Sequence, residues 1–273
     1  MLNTHSPAEQ FLIDFHKQHP GITSQCFQAL ATTLNGEAYP SSYACLSSQV
    51  ADDATVLDLA CGDGYLLSLL SNQHRSLHGL DMSMDELAAA QRRLGQRAQL
   101  HHGKAQSLPF ENHSIDHVLC HMALMLMAPL DVVLSEVHRV LKKGGCFSAI
   151  IGAAPPSSPA LAPYLVRLRK LLKSNPAKVL SFGDKRLGNP DGIHDVFSSH
   201  FELIQIEDLQ QNRRYTPSEI WAWFEGCYDL AFLSADDCSH FYDEYLNELN
   251  TLCAADGKIE FTDHLRRISA IAR

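Results

Sequence analysis

Thr55-Val-Leu-Asp-Leu-Ala-Cys-Gly-Asp-Gly-Tyr-Leu-Leu-Ser-Leu-Leu70 is the stretch on which the fold of this chain turns. Its first five residues form a short, almost continuously apolar run, the next five contain Gly62 and Gly64, and the last six read as helix. The pattern is strand, tight turn, helix. Small residues in such a turn let backbone N–H groups and the positive helix end approach a ligand closely. A second strand, Leu77-His-Gly-Leu-Asp81, follows and ends on an acid. In an open parallel sheet ligands sit beyond the carboxyl ends of the strands, and a carboxylate there can accept from both hydroxyls of a ribose. Turn and acid together describe a nucleoside pocket.

The pattern continues on both sides. Upstream, Ser6-Pro7-Ala8-Glu9 is a capping box with proline at the first helical position, so a helix starts there with Phe11, Leu12 and Phe15 on its apolar face. Two further helical patterns, about 23–33 and 41–50, complete a helical preface over 1–50. Downstream, Ser83-Met-Asp-Glu86 caps a helix that Gly95 can end, strands are expected near 98–102 and at 115–120, a helix near 130–141, and a strand at 146–151 after the Gly144-Gly145 turn. Strand and helix alternating at this spacing imply a doubly wound α/β core over 51–152. Prolines 155, 156, 159 and 163 then open a mostly helical insertion, 153–200. The C-terminal part, 201–273, resumes the sheet at Phe201–Glu207, carries a second helical insertion at about 217–255 and ends in a strand at 267–272. The expected architecture is a mostly parallel, seven-stranded, Rossmann-like sheet with a helical N-terminal preface and helical insertions that form a lid over the substrate.

Composition narrows the partners. At 273 residues and 45% hydrophobic the chain can bury a core without staples, and 22 Lys plus Arg against 31 Asp plus Glu gives a formal charge of −9 that would repel a phosphate backbone. Nucleic acid is not expected. The basic run Arg167, Arg169, Lys170 and Lys173 reads as the wet face of a helix whose other face is Leu161, Leu165, Leu168 and Leu172. The eight cysteines show no C-x-x-C pair and no zinc spacing, so no metal is expected and a reducing, cytoplasmic location is. Residues 121–134 are the most apolar stretch, but Pro129 and Asp131 interrupt them well short of the about 20 residues a bilayer span needs. No membrane association is expected, and a homodimer stays open.

A dinucleotide fingerprint would need a third glycine where Leu67 stands, and no phosphate loop of the type G-x-x-x-x-G-K-[ST] occurs. Val56-Leu-Asp-Leu-Ala-Cys-Gly-Asp-Gly64 instead resembles the first motif of the class I S-adenosylmethionine-dependent methyltransferases, V-L-D-x-G-C-G-x-G. The resemblance extends to Leu80-Asp81, Ala105-Gln-Ser-Leu-Pro-Phe110, Ser114-Ile-Asp-His-Val118 and Glu136-Val-His-Arg-Val-Leu-Lys-Lys-Gly-Gly145. It covers about 55–151 in family order.

What this resemblance implies is an enzyme that moves the methyl group of S-adenosylmethionine to a small metabolite. It places Asp58 and the turn Ala60, Cys61, Gly62, Asp63 and Gly64 at the methionyl end of the cofactor, Asp81 at the ribose, Met82 against the adenine, and Lys104, Ala105 and Gln106 at the adenine edge. Cys120, His121 and Met122 should line the reactive end. Two positions depart from the family: Ala60 replaces a glycine, and Lys104 stands where an aspartate usually accepts from the adenine amine. A lysine has no acceptor, so Lys104 is expected to swing to solvent while Gln106 or a backbone carbonyl takes the amine. His121 is the candidate general base. Tyr43, His194 and Trp221 are candidates for the substrate, and Trp221, Phe224, Tyr228 and Phe232 also recur at the spacing of a helix core. There is no [DN]-P-P-[YFW] and no Pro-Cys nucleophile, which leaves oxygen, nitrogen or carbon as acceptor. Two other uses of the fold remain in view: an enzyme that binds the cofactor without methyl transfer, such as a cyclase, and a non-catalytic partner subunit.

Overall fold

The structure, a computed structural model, describes residues 5–71, 74–153, 158–174 and 180–273. They fall into two compact units, one made of Met1–Ala154, Phe182–Gln210 and His264–Arg273, the other of Pro155–Ser181 and Gln211–Asp263. Residues 182–200, which the proline run groups with the first insertion, belong to the first unit. None of the described helices is long and apolar enough to cross a membrane.

The first unit begins with α1 (Pro7–Gln18), where Ser6 accepts from the Glu9 N–H and Glu9 reaches back to the Ser6 N–H as its sequence requires. After α2 (Ile22–Cys26) come β1 (Ala31–Thr33), β2 (Ala38–Tyr39) and α3 (Ser42–Ser47). The preface is therefore not all helical. The helix expected over 23–33 stops at Cys26, and Ala31–Thr33 pairs antiparallel with Ala38–Tyr39. Asn35-Gly36 explains this: Gly36 takes φ +88° in the connection, a backbone that favours glycine, and β-branched Thr32 and Thr33 suit the strand.

The doubly wound part follows as β3 (Thr55–Leu59), α4 (Tyr65–Leu70), β4 (Ser76–Asp81), α5 (Met84–Leu94), β5 (Gln99–His102), β6 (Ile115–His121), α6 (Leu130–Val140) and β7 (Leu141–Gly152). Strand pairs β3–β4, β3–β6, β4–β5 and β6–β7 are parallel. Val56, Leu57 and Leu59 are fully buried, as a strand covered on both faces must be. β7 starts before the glycine turn expected to precede it. Gly144 and Gly145 lie inside the strand, beside a register shift between Ile115 and His117, and a Cβ on Gly145 would sit 3.0 Å from the Asp116 carbonyl oxygen. α8 (Pro190–Phe197) adds Ile193, Val196 and Phe197 to the same core, where Phe197 stacks on Phe147 of β7.

β8 (Phe201–Tyr215) and β9 (Ile259–Ala272) complete one sheet in the order β2-β1-β8-β9-β7-β6-β3-β4-β5. The sheet thus has nine strands among the described residues rather than seven, and it is mixed, since β9 runs antiparallel to β7. The seven strands read from the sequence are all present; the hairpin β1–β2 is the addition.

The second unit holds α7 (Leu161–Ser174), α9 (Pro217–Glu225) and α10 (Ala235–Leu252). Its core is aromatic: Tyr164 stacks on Phe224 with ring centres 3.5 Å apart, and Phe241 and Tyr245 close round them. Arg169, Lys170 and Lys173 are exposed as expected, whereas Arg167 bonds Glu248 of α10 at 2.6 Å.

Candidate functional site

The site is built where β3, β4 and β6 end. Cys61 N–H donates to the Leu80 carbonyl oxygen at 3.0 Å and Gly64 N–H to that of Cys61 at 2.9 Å, which folds residues 60–64 into a tight turn. Ala60, Gly62 and Gly64 all take positive φ, +60°, +49° and +74°. The two glycines serve different ends. A Cβ on Gly62 would meet nothing nearer than Glu86 Oε2 at 3.9 Å, so its face of the turn is open to a ligand. A Cβ on Gly64 would lie 2.7 Å from Leu94 Cδ1 and 3.1 Å from Ala90 Cβ. Gly64, expected beside the cofactor, is there to let α5 pack on the turn. The Cys61 side chain is likewise turned into the sheet, against Gly79, leaving its backbone for a ligand.

Four carboxylates are buried round this turn: Asp58, Asp63, Asp81 and Glu86. Asp81 accepts from Gly62 N–H at 2.9 Å through Oδ2 and from Ser83 N–H at 2.8 Å through Oδ1. These bonds aim both oxygens while leaving each a lone pair for a further donor. Burial raises the Asp81 carboxyl above the usual range, against the lowering effect of those two N–H bonds. Asp58 is pushed well above it by burial and by the charges of Asp81 and Asp63. No hydrogen bond or ion pair offsets Asp58 among the described residues. Asp63 pairs with Arg93 and accepts from Ser24 Oγ at 2.7 Å. Glu86 accepts from Gly21 N–H at 3.0 Å and meets His16 Nδ1 at 2.8 Å.

The N-terminal segment thus reaches the site at several points, and Lys104 is one of them. Lys104 does not swing to solvent: its Nζ bonds Glu9 Oε2 of α1 at 2.8 Å, and both side chains are largely buried. The flexible stem that permits an outward lysine here lets it reach a carboxylate instead. Gln106 donates from Nε2 to the Ala128 carbonyl oxygen at 2.7 Å, which leaves its own oxygen as an acceptor, and Ala105 is buried beside it. Gly103 N–H donates to the Asp81 carbonyl oxygen and His102 Nε2 lies 3.0 Å from that of Met82, so residues 102–106 are stitched to the end of β4.

At the end of β6, His121 is buried in an aromatic box. Its ring stacks on Tyr43 with centres 3.6 Å apart and meets Phe27 edge-on at 5.7 Å. Its Nε2 lies 2.9 Å from Ser42 Oγ, and the same hydroxyl is 3.3 Å from the Phe27 carbonyl oxygen. The direction of the Ser42–His121 hydrogen bond follows the imidazole tautomer. Nδ1 is buried and without a partner. Burial lowers the imidazole to about 3, so the ring is neutral and a poor proton acceptor. Such an environment weakens His121 as the general base that the sequence leads one to expect. Tyr43 lies at this end of β6 against His121: burial first, then the nearby charges of Asp63 and Asp58, raise its phenol well above the ordinary value. Cys120 is fully buried below, and Met122, at φ +53°, donates its N–H to Ile150 at 2.7 Å.

His194 is exposed in the last turn of α8, and Trp221 belongs to the aromatic core of the second unit, donating to Glu225 Oε1 at 2.9 Å. His16, Gly21, Ser24, Phe27, Ser42, Glu86 and Arg93 were not picked out from the sequence. Only Glu86 carried a local signal, as the third helical residue after Ser83, and that signal read as a cap.

A turn open at Gly62, an aspartate locked beside it and a parallel-centred sheet define a nucleoside-binding protein of the doubly wound α/β class. The family is narrower than that class. Residues 57–149 match the family model described as a methyltransferase domain. Among curated relatives, an uncharacterized methyltransferase of Synechocystis is 30% identical over 135 residues, 49% of this chain and 63% of that protein. The chain thus spans less than two thirds of the length of that relative. Among solved structures, phosphoethanolamine N-methyltransferase 2 of Haemonchus contortus, bound to S-adenosyl-L-methionine, superposes with a TM-score of 0.52 at 18% identity, covering 85% of this chain and 52% of that one. The [4+2]-cyclase SpnF superposes with a TM-score of 0.58 at 14% identity, covering 98% and 96%. These two likenesses establish the fold.

Proposed function

We propose that this chain transfers the methyl group of S-adenosylmethionine to an oxygen, nitrogen or carbon nucleophile of a small metabolite. One observation carries the cofactor assignment: the open face of the turn is surrounded by four buried carboxylates, of which Asp58 has no counter-charge. Such a site repels the phosphates of a nucleotide and favours a cofactor that brings positive charge. S-adenosylmethionine brings a sulfonium and an ammonium. In this reading Asp81 accepts from the ribose hydroxyls with the lone pairs its backbone bonds leave open. Met82 lies against the adenine, the backbone of 60–63 and Asp58 hold the methionyl end, and Cys120, His121 and Met122 border the reactive centre.

The bound cofactor supplies an activated methyl, so this chain has mainly to align a nucleophile with it and keep water out. With its hydrogen on Nε2 toward Ser42, a neutral His121 suits an orienting role: its Nδ1 accepts a hydrogen bond from an O–H or N–H of the substrate without taking the proton. The C–S bond breaks as the bond to the nucleophile forms, and the methylated product then releases its proton to solvent. Eight free cysteines fit work in the reducing cytoplasm.

Titration calorimetry with S-adenosylmethionine and S-adenosylhomocysteine, followed by incubation with pooled metabolites, tests the proposal. Binding of both, with conversion of one to the other in the presence of an acceptor, is the expected result. Binding without consumption would transfer the chain to a non-methylating use of the fold, and the absence of binding would make it a partner subunit.

A further inference from the structure

We infer that Glu9, held by Lys104, is the acceptor for the exocyclic amine of the cofactor's adenine, so that this chain imports from α1 the carboxylate that the family resemblance implies at position 104. The inference rests on the proposed use of S-adenosylmethionine. It starts from a conflict: the end of β5 offers a lysine where an amine-recognising acid belongs, and an ammonium can only donate.

The contacts of Lys104 resolve the conflict. Residue 104 is fixed next to the ribose site, because Gly103 N–H donates to the Asp81 carbonyl oxygen at 3.0 Å. From there the lysine stem carries its Nζ to Glu9 Oε2 at 2.8 Å. The pair is largely buried, with side chains 17% and 20% exposed, so it is not a loose surface contact. Glu9 is also anchored from its own side, since Ser6 N–H donates to the same oxygen at 2.7 Å. Both bonds end on Oε2 and leave Oε1 available for another donor. Lys104 and Ser6 hold the carboxyl below the usual range despite its burial, so it is an anion throughout the neutral range, the form that accepts most strongly.

The rest of α1 fits this placement. His16, seven residues beyond Glu9 and therefore about 10 Å along the helix, meets Glu86 at 2.8 Å. The helix is pinned at both points to groups that border the turn and the end of β4. Lys104 is a positioning residue in this arrangement and Glu9 the recognition residue.

Calorimetry on the full chain with S-adenosylhomocysteine and S-inosylhomocysteine, in which the amine is replaced by a carbonyl oxygen, separates the possibilities. The wild type should prefer the amine form by about tenfold or more, the value of a charge-assisted hydrogen bond. Glu9→Gln, whose amide can turn to serve either ligand, and Lys104→Met should each bring the two affinities together. Ser6→Ala, which weakens the same helix cap by removing the hydroxyl but keeps the Ser6 N–H bond to Oε2, should keep the preference. A wild type without preference, or Glu9→Gln with the preference intact, overturns the inference while leaving cofactor use standing. If the wild type binds neither ligand, the cofactor reading falls and the role of Glu9 falls with it.

Discussion

Acidification should destabilise this protein through one buried ring. His121 in the folded chain is held to about 3, so between pH 7 and pH 5 it takes up almost no proton. In the unfolded chain the same imidazole returns to about 6.5 and becomes protonated over that interval. The unfolded state therefore binds more protons, and stability falls as pH is lowered from 7 to 5. Comparing unfolded chain at pH 5, where the ring is about 97% charged, with pH 7, where it is about 24% charged, gives a loss of about 2 kcal/mol from this residue. Asp58 and Asp81 act in the opposite sense, since their raised carboxyls gain protons in the folded state as pH falls. The contribution of His121 must be isolated by difference. His121→Phe keeps a ring against Tyr43 and removes the titrating group, while Ser42 retains its bond to Phe27. Urea unfolding of wild type and variant, followed by far-ultraviolet circular dichroism at pH 7, 6 and 5, should show the wild type losing about 2 kcal/mol more than His121→Phe over the range. Parallel curves would mean that His121 titrates normally, and the buried bare Nδ1 would be wrong with it.

The two glycines of the turn should separate in mutation. Gly64→Ala should cost about 2–4 kcal/mol of stability from the clash with Leu94 and Ala90 plus positive-φ strain, read as a lowered urea midpoint. Gly62→Ala should cost only the strain, about 1–2 kcal/mol, and lose cofactor binding by calorimetry. Ala60→Gly should raise stability by about 0.5–1 kcal/mol, because a non-glycine residue is held there at φ +60°. Asp81→Ala should weaken S-adenosylhomocysteine binding by about 2–4 kcal/mol, since a charged acceptor facing two hydroxyls is lost. Asp58→Asn should raise the urea midpoint of the free protein and weaken the cofactor; a lowered midpoint would show that the charge is compensated after all.

What could be read from the sequence was whatever is written locally. The run 55–59, the turn 60–64 and Asp81 are legible because strand burial, tight turning and a strand-terminal acid each leave a signature within a few residues. The strands β8 and β9 extend well beyond the expected 201–207 and 267–272 for the opposite reason. Beyond Glu207 the sequence turns polar, Asp-Leu-Gln-Gln-Asn-Arg-Arg, yet Leu209, Gln211 and Arg213 are buried at alternate positions. The period of two is there, but it is carried by polar side chains, with Arg213 paired to Asp263 of β9. Hydropathy cannot show that. The hairpin at 31–39 is signalled only by Asn35-Gly36, since its strands of three and two residues are too short to show a period against the helical pattern expected over 23–33. For the site, the positions were visible and the partners were not. Lys104 and Glu9 are separated by 95 residues, and His121 and Ser42 by 79. Such pairs exist only once the chain has closed.

The same partners explain why the acids of the turn are not equivalent. A buried carboxylate is tolerated where donors or cations surround it. Asp63 has Arg93 and Ser24, Glu86 has His16 and the Gly21 N–H, and Asp81 has the N–H groups of Gly62 and Ser83. Each of these three is held chiefly by the chain itself and would remain satisfied in a protein that bound nothing. Asp58 is different: it lies beneath the open face of the turn with only like charges near it. A residue that weakens the free protein and has no structural partner persists where a ligand supplies what the fold withholds. The donors of Asp81 fix its direction, whereas the burial of Asp58 without donors favours its protonated form, and only a cationic group brought to it would favour the carboxylate.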